Sequence, residues 1–410
     1  MTRGRRLLRP VAALIFIAVA MAPIEAQEPE TRAEIAQRER EEKSRRLRPP
    51  EPGRAERVLL DLENGRLFER LLNPAQGLYP RIGNITSGSG FSVGPGYRWA
   101  GLFGGRADLN TFAAASFTRY WMIDARLQMP RLAGGRVGID LHAQRYDFPK
   151  EDFFGLGPDS RRDDEVTYGL GNTVFGVTGV YRPTSWLNVG AAVDHLRPTI
   201  EAGIEPGEIL SVFGPASAPG VLAPARFFKY EASVDVNTRE PRGNPRRGGR
   251  YGVAYQRFED TEGDRFSFNR VEADVQHYVP LLRDRRILAL HGLVSIADAD
   301  AGAEVPFYLQ RTLGGPNDLR GFRYLRFRDR NALLLQAEYR WEIFTAVDGA
   351  LFYDTGKVAS RVEDLNLRDL ESDYGIGFRF GSVNGVFLRV EGAFGSRAGA
   401  HFVLRFSNAF

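Results

Sequence analysis

The sequence of 410 residues contains no cysteine, which excludes disulfide bonds, thiolate metal sites and lipid attachment to a cysteine after a secretion signal. Lysine is scarce, because all of the 55 basic residues except Lys43, Lys150, Lys229 and Lys357 are arginine. The 51 acidic residues are interleaved with the basic ones, and the formal net charge is only +4. A nucleic-acid-binding surface needs basic residues clustered on one face, so no nucleic-acid partner is expected.

Long apolar runs are missing beyond the N-terminus. A transmembrane helix needs about 18 or more consecutive apolar residues, and no segment after residue 26 provides them. The mean hydropathy of −0.30 also argues against a helical membrane protein. It is compatible with a membrane β-barrel, because half of the side chains of each barrel strand face a polar interior.

The first 26 residues have the organisation of a secretion signal. Arginines precede the apolar run Val11–Met21, and small residues follow as far as Ala26. This order of basic, apolar and cleavage regions predicts a secretory signal peptide over 1–26. The alternative is an uncleaved anchor helix, but the apolar run is too short to span a bilayer comfortably.

Residues 27–76 form a charged segment of a different character. Acidic and basic residues are mixed through 37–43, and Pro49, Pro50 and Pro52 interrupt the chain. Mixed-charge runs of this kind are usually solvated. We therefore expect a short periplasmic segment that is partly helical or disordered.

From residue 77 onward, apolar residues recur at every second position. In one stretch Tyr374, Ile376 and Phe378 alternate with glycine and arginine. The apolar set of a soluble β-sandwich faces a core, whereas here the alternation continues over about ten residues per strand with Arg, Glu and Gly opposite, as in membrane-barrel strands. We predict an all-β fold, a 16-stranded antiparallel transmembrane β-barrel over 77–410. Its predicted strands are 77–86, 89–99, 105–116, 118–130, 136–148, 165–182, 185–198, 226–239, 248–258, 264–280, 285–298, 329–343, 346–358, 371–381, 384–395 and 399–410.

The predicted connections differ in length between the two ends of the barrel. With the N-terminus in the periplasm, the long connections 149–164, 199–225 and 299–328 face outward, whereas 183–184 and 382–383 are tight periplasmic turns. Outer-membrane barrels show this asymmetry. We expect a location in the bacterial outer membrane, in contact with its lipid.

Two short motifs flank the predicted twelfth strand. The connection 299–328, called loop 6 below, contains Arg320-Gly321-Phe322 shortly after a pair of glycines. Glycine beside the arginine lets a loop tip approach a wall closely. The second motif, Phe-Tyr-Asp-Thr-Gly, lies in the thirteenth predicted strand and includes Asp354 and Gly356.

Period-two parity places the acidic residues of these two strands on the inward face. Glu338 shares a face with Gln336 and Arg340, and Asp354 shares one with Gly356, away from the apolar side chains. An arginine guanidinium can bond two carboxylates at once, because its donors form a fixed fork. The alternative is an exposed glycine-rich loop with a surface arginine.

These motifs resemble the signature of the BamA/TamA family of bacterial surface-antigen barrels, namely the Arg-Gly-Phe tip of loop 6 and F-x-D-x-G of strand 13. The resemblance covers 77–410. It implies that loop 6 folds back into the lumen, with Arg320 paired to Asp354 and close to Glu338. The segment 27–76 is shorter than one of that family's polypeptide-transport-associated domains, so the chain is identified as a barrel-only member.

The C-terminus supports the same resemblance. The chain ends on Phe410, as the assembly signals of outer-membrane barrels do, and Asn408 departs from their usual pattern. The alternating apolar positions of the predicted signal are Phe402, Leu404, Phe406 and Phe410.

The sequence shows no sign of an enzyme. A G-x-S-x-G nucleophile elbow and an H-E-x-x-H zinc motif are both absent. Asp354 and Glu338 could be interpreted as paired acid–base carboxylates, but an ion pair with an arginine is the better interpretation. We expect no catalytic residue, no metal and no cofactor. The five histidines are spread over the predicted strands: His142, His195, His277, His291 and His401.

Two functions remain open. The resemblance implies a barrel that assists the insertion or translocation of unfolded outer-membrane proteins through a lateral seam between its first and last strands, where an exposed strand edge invites another strand. The first predicted strand, interrupted by Gly77, Pro80 and Gly83, is consistent with a weak seam. The alternative is a passive channel or structural surface barrel with loop 6 as an internal plug. The sequence does not identify a periplasmic partner.

Overall fold

The fold is that of a computed structural model, which describes residue 74 and residues 76–203, 207–282, 285–344, 346–382, 385–395 and 399–405. The predicted signal peptide and nearly all of the predicted periplasmic segment therefore lie outside the described residues. Within the described ranges, no helix is long and apolar enough to cross a membrane.

Sixteen strands form one antiparallel sheet, in which each strand pairs with its neighbour along the chain. The prediction of an all-β, 16-stranded antiparallel barrel is confirmed. The sheet strands are β1 Gly77–Gly83, β2 Ser92–Gly101, β3 Ala107–Ser116, β4 Trp121–Leu132, β5 Val137–Phe153, β6 Val166–Tyr181, β7 Leu187–Ala202, β8 Phe227–Asn237, β9 Gly248–Asp260, β10 Phe268–Leu281, β11 Arg286–Ala299, β14 Asn331–Phe344, β15 Val347–Ala359, β16 Glu371–Ser382, β17 Gly385–Gly395 and β18 Gly399–Arg405.

Loop 6 lies between β11 and β14 and contains a separate small hairpin that sequence alternation did not predict. It consists of β12, Arg311–Leu313, and β13, Phe327–Asp329. Three-residue strands are too short to show a period of two, so the pattern carries no signal for them. The short helical turns of the fold are Leu102–Gly105, Ala133–Gly135, Arg162–Asp164, Ile209–Ser211, Phe307–Leu309 and Val362–Asp364.

The strands form because their side chains alternate between two different environments. On β6 and β7 the outward side chains Phe175, Val177 and Val193 are exposed apolar residues. The residues that alternate with them point inward. One of these is Asp194, which is buried and lies 3.1 Å from Nε2 of His142. An apolar outer face around a polar interior is the pattern of a membrane barrel.

The two ends of the sheet meet. Among the described residues, β1 pairs with β2 and β18 with β17, and no backbone pairing joins β1 to β18. Ser87 in the β1–β2 connection and His401 on β18 nevertheless line one cavity of about 240 Å³, together with the tip of loop 6. Both ends of the sheet therefore border the tip of loop 6 at this cavity.

The strands β5 and β6 extend beyond the rest of the barrel at the outward end. β5 continues to Phe153, past the predicted end at 148, and resumes its pairing with β6 after a register shift between Phe148 and Glu151. A proline and three charged residues at 149–152 interrupt the apolar alternation there, so the extension gave no pattern in the sequence.

An apolar core, called the cap below, covers the outward ends of β5–β11. Residues from these strand ends and from the connections β7–β8, β9–β10 and β11–β12 pack together in it. Arg328 of β13 lies at its centre, donates from Nη1 to the Phe307 carbonyl at 2.8 Å, and has three aromatic rings 5.6 Å away. The buried aromatic residues of the cap are Phe153, Tyr168, Phe227, Phe258, Phe266, Phe268, Phe307 and Tyr308.

Candidate functional site

The tip of loop 6 is a tight glycine turn. Gly314 and Gly315 have φ angles of +111° and +109°, which side-chain-bearing residues rarely adopt. A Cβ on Gly314 would lie 2.3 Å from the Arg323 carbonyl oxygen, so the two arms of the turn are in backbone contact. The turn directs the side chain of Arg320, between the two arms, against the barrel wall.

Arg320 forms a two-point ion pair with Asp354 of β15. Its Nε lies 2.7 Å from Asp354 Oδ2 and its Nη2 lies 2.8 Å from Oδ1. The guanidinium carbon is 3.5 Å from the centre of the Phe352 ring, which covers one of its faces. Fork-to-fork pairing and ring stacking together specify arginine, because a lysine ammonium can do neither in this geometry.

The third nitrogen of the guanidinium connects Arg320 to two more strands. Its Nη1 lies 3.2 Å from Glu338 Oε2 on β14 and 3.2 Å from Glu391 Oε1 on β17. All four of these side chains are fully buried. One loop side chain thereby bonds three strands of the wall.

The carboxylates of this site have further arginine partners on the strands. Glu338 accepts from Arg340 Nε at 2.9 Å and also from Arg379, and Glu391 accepts from Arg389 at 3.3 Å. Asp354 differs, because its side-chain donor besides Arg320 is the neutral amide of Gln336, at 3.1 Å.

Four arginines and four carboxyl groups are buried together here. The fourth carboxyl group is Asp373, which is directly opposite Asp354 on the neighbouring strand. A buried charge is tolerated only when it is paired and hydrogen-bonded. Burial alone would lower the pKa of Arg320, but Asp354, Glu338 and Glu391 outweigh burial and raise it. Arg320 is therefore a permanent cation that clamps the loop tip to the wall.

The residues next to Arg320 fit the loop tip to the wall. A Cβ on Gly321 would lie 2.6 Å from both the Asp373 Cβ and the Gly395 amide nitrogen, so only glycine allows this approach to β16 and β17. Phe322 is buried in an apolar cluster, with its ring 5.3 Å from that of Phe327. A Cβ on Gly356 would lie 2.6 Å from the Leu333 carbonyl oxygen.

Two further contacts hold the loop tip on either side of Arg320. Arg389 Nη2 donates to the Pro316 carbonyl and to Asn317 Oδ1, both at 3.1 Å. On the opposite side the Tyr324 hydroxyl lies 3.3 Å from Thr86 Oγ1 in the β1–β2 connection. Loop 6 thus contacts the first hairpin as well as β14–β17.

The other named residues lie elsewhere. Phe402 and Leu404 of β18 point outward and are 73% and 51% exposed, whereas Phe406 and Phe410 lie outside the described residues. The described part of the chain contains no group of three or more His, Asp or Glu side chains that could hold a metal ion.

Sequence reasoning named Arg320, Glu338 and Asp354 but missed Glu391 and its arginine partners. The period-two alternation could have identified them as inward residues, because Arg379 lies at an inward position of β16 and Arg389 and Glu391 lie at inward positions of β17. Which inward residues meet depends on the stagger of the strands around the barrel, and sequence alternation does not fix this stagger.

Comparisons with known proteins agree with this architecture. The family model described as the Omp85 superfamily domain matches residues 100–397. The solved structure of BamA from Haemophilus ducreyi lacking POTRA domains 1–3 is similar with a TM-score of 0.53 and 15% identity, over 84% of this chain and 76% of that chain. CdiB from Escherichia coli is similar with a TM-score of 0.50 and 14% identity, over 80% of this chain and 59% of that chain.

No curated protein matches the sequence. Identities this low show a shared fold alone, whereas the family model matches more than half of the chain. The chain belongs to the Omp85 superfamily.

Proposed function

We propose that this protein is an outer-membrane barrel that assists the insertion or translocation of other outer-membrane proteins through a lateral seam between β1 and β18. In this proposal it acts without catalysis and without a cofactor. Its partners are the lipid of the outer membrane and unfolded barrel proteins. The observation that carries the proposal is the unpaired meeting of the two sheet ends, among the described residues, inside an otherwise fully paired sheet.

The lengths of the strands support a weak seam. β1 has seven residues, of which Pro80 cannot donate a ladder hydrogen bond, whereas β5 has seventeen. The Tyr79 side chain instead bonds inward, to Asn110 at 2.7 Å. An edge of free backbone groups is a template for another strand.

The Arg320 clamp supports a wall that stays intact while the seam opens. Arg320 bonds β14, β15 and β17, all on the C-terminal side of the seam, and leaves β1 out of the cluster. In the first hairpin loop 6 has the Tyr324–Thr86 contact, which is long for a hydroxyl–hydroxyl hydrogen bond. Its firmer contacts on the N-terminal side are with the β5–β6 connection, where Arg326 donates to Ser160 Oγ at 2.8 Å. We propose that loop 6 holds the C-terminal half rigid and lets the first hairpin move.

The cap is an argument against an open passage to the outside. Apolar packing covers the outward ends of β5–β11, and dense packing of this kind leaves few voids for water or ions. A substrate strand in the barrel would then leave sideways. The passive alternative, a channel or structural barrel plugged by loop 6, has no observation in its favour beyond the loop itself.

The test is reconstitution of the purified mature protein into liposomes and measurement of the folding rate of an unfolded test barrel added outside. We expect faster folding than in liposomes holding an unrelated barrel. No acceleration, together with steady ion conductance, would favour the passive alternative.

Because the chain has no cysteine, the seam can be cross-linked selectively. Ser87→Cys with His401→Cys places thiols on the two sides of the seam cavity, and a short bis-maleimide should abolish the acceleration. Ala191→Cys with Ala232→Cys is the matched control, since these residues are register partners on β7 and β8. Full activity of the cross-linked seam variant would contradict the lateral route.

A further inference from the structure

The outward face of the barrel has an apolar groove across β10, β11, β14 and β15. It has a volume of about 420 Å³. Gly292 and Ala337 form its floor, and the larger side chains of Val275, Leu335 and Tyr353 stand around them. Gly292 and Ala337 are smaller than the outward residues Leu290, Leu335 and Tyr353 beside them, so the groove is a local loss of side-chain volume in the surface that faces lipid.

The groove leads along β11 to a basic end. Arg286, Leu288, Leu290 and Gly292 lie on the same outward face, because side chains of a strand alternate. Leu290 lies at the groove, and Arg286 is four residues away, about 14 Å along the strand. Arg286 is exposed, and so is Arg285 in the turn before it.

The charge of this turn favours an anion. The sequence of 281–286 is Leu-Leu-Arg-Asp-Arg-Arg, which has three arginines and one acid. Among the described residues, no acidic side chain forms an ion pair with Arg286. Arginine is the residue best suited to bidentate phosphate binding.

Trp341 completes this end as a membrane-interface residue. It is the register partner of Arg286, and a Cβ on Gly349 would lie 2.4 Å from Trp341 Cε2. The indole therefore lies along the outward surface over Gly349 of β15, at the same end of the barrel wall as Arg286. Tryptophan is enriched where lipid headgroups meet the hydrocarbon.

A ligand in the groove needs few hydrogen-bonding groups. His277 Nδ1 and the Tyr251 hydroxyl lie 2.6 Å apart, so the polar groups at its edge satisfy each other. The groove has apolar walls, a floor one side chain deep and a cationic end. These features suit a methylene chain with a phosphate better than a protein helix or a second copy of the barrel.

We propose that one phospholipid of the inner leaflet binds at a defined site on this wall. Its phosphate pairs with Arg286 and Arg285, and one acyl chain fills the groove over Gly292 and Ala337. The inner-leaflet assignment rests on the proposed orientation of the barrel, in which the β10–β11 turn is periplasmic. Lipid binding itself is independent of any insertion activity.

The experiment is native mass spectrometry of the purified mature protein, after brief exposure to phosphatidylglycerol and removal of loosely held lipid by detergent. We expect one retained lipid per protein. Gly292→Leu fills the groove outward, since a Cβ there meets only a side-chain atom, Leu335 Cδ2, at 3.6 Å. Losing the contact of a few methylene groups should lower retention at least about tenfold.

Arg286→Gln should lower retention to a similar degree through loss of the phosphate contact. Arg106→Gln, an exposed arginine of the β2–β3 turn, and Ala191→Leu, an outward alanine of β7, are the matched controls and should retain lipid like the unaltered protein. Ala337→Leu is a second groove-filling variant. Comparable heat-modifiability in all variants checks that each barrel is folded.

Separate arms distinguish the sources of the ligand. Inorganic phosphate at the same concentration should not displace the lipid, and displacement would indicate a free-anion site and overturn the acyl-chain assignment. Equal retention by Gly292→Leu and the unaltered protein would show surrounding bulk lipid only. The liposome folding assay is read separately, so a failure of the insertion proposal does not decide this one.

Discussion

Removal of Arg320 should affect its carboxylate partners unequally. Without Arg320, Glu338 still has Arg340 on its own strand and Glu391 still has Arg389 on its own strand. Asp354 has the neutral amide of Gln336 instead. Breaking a buried ion pair from one side costs about 3–5 kcal/mol, because the remaining charge is buried without compensation. We expect Arg320→Ala to lower the free energy of unfolding by this order, measured by urea titration of the refolded barrel in detergent micelles.

The double variant Arg320→Ala with Asp354→Asn tests which carboxylate is responsible. Removing the uncompensated charge should restore part of the lost stability. Arg361→Ala, at an exposed surface pair with Glu363, is the control and should change stability by less than about 1 kcal/mol. A double variant no more stable than Arg320→Ala alone would show that Asp354 is not the side chain left uncompensated.

Asp318, two residues before the clamp arginine, should make stability depend on pH. Burial raises its pKa from 3.8 to about 6, and the Asp354 charge acts in the same direction, against Arg311. The folded state then binds more protons than the unfolded state between about pH 4 and pH 6, so stability falls as the pH rises through this window. Above it the ionised carboxylate costs about 3 kcal/mol.

Asp318→Asn should remove this cost. We expect the variant to be more stable than the unaltered protein at pH 7.5 and equal to it at pH 4, in urea titrations at both values. Equal stabilities at pH 7.5 would mean that the Asp318 side chain reaches water freely.

At the scale of strands, β15, β16 and β17 interlock through one glycine. A Cβ on Gly375 would lie 2.2 Å from Phe352 Cζ and 2.2 Å from the Gly392 carbonyl oxygen. Because Phe352 also stacks on the Arg320 guanidinium, an alanine here should displace both. Overpacking of this kind costs about 1–3 kcal/mol.

Gly375→Ala should therefore lower the midpoint of thermal unfolding, and Gly392→Ala should not. Gly392 is a glycine on the adjacent strand whose Cβ would have no heavy atom within 4 Å, so the comparison isolates the contact from the general effect of replacing glycine in a strand. Similar losses for both substitutions would contradict the interlock.

Strands were predictable to the extent that their two faces differ. β16 alternates Tyr374, Ile376 and Phe378 with inward glycine and arginine, and the structure gives a strand with these bounds nearly as predicted. The outward extension of β5 was not predictable, because it ends at the cap, where the neighbouring residues Phe153 and Phe154 are both buried. The hairpin β12–β13 was not predictable, because its strands have only three residues each. A period of two disappears when both faces of a strand meet protein.

At the scale of the molecule, the described interior is divided into two regions with different chemistry. The C-terminal wall, β14–β17, holds a dry charge cluster around Arg320. The wall of β5, β7 and β8 holds charges that are partly hydrated, such as Lys229, 2.9 Å from Glu231 and with a fifth of its side chain exposed. The first wall is therefore dry and the second partly hydrated, and the cap covers the outward ends of β5–β11.

This arrangement predicts that ion flow is limited by the cap and not by loop 6. Phe307 lies at the centre of the cap, with ring centres 5.2 Å from Phe153 and 4.8 Å from Tyr168, and it is fully buried. Phe307→Ala leaves a cavity at a cost of about 3–5 kcal/mol and loosens the contacts that hold the outward connections together. We expect higher single-channel conductance in planar bilayers, whereas Val362→Ala, an exposed residue of the β15–β16 connection, should leave the conductance unchanged. If Phe307→Ala conducts like the unaltered protein while Arg320→Ala conducts more, loop 6 is the barrier and the plugged-channel alternative gains the support that it lacks here.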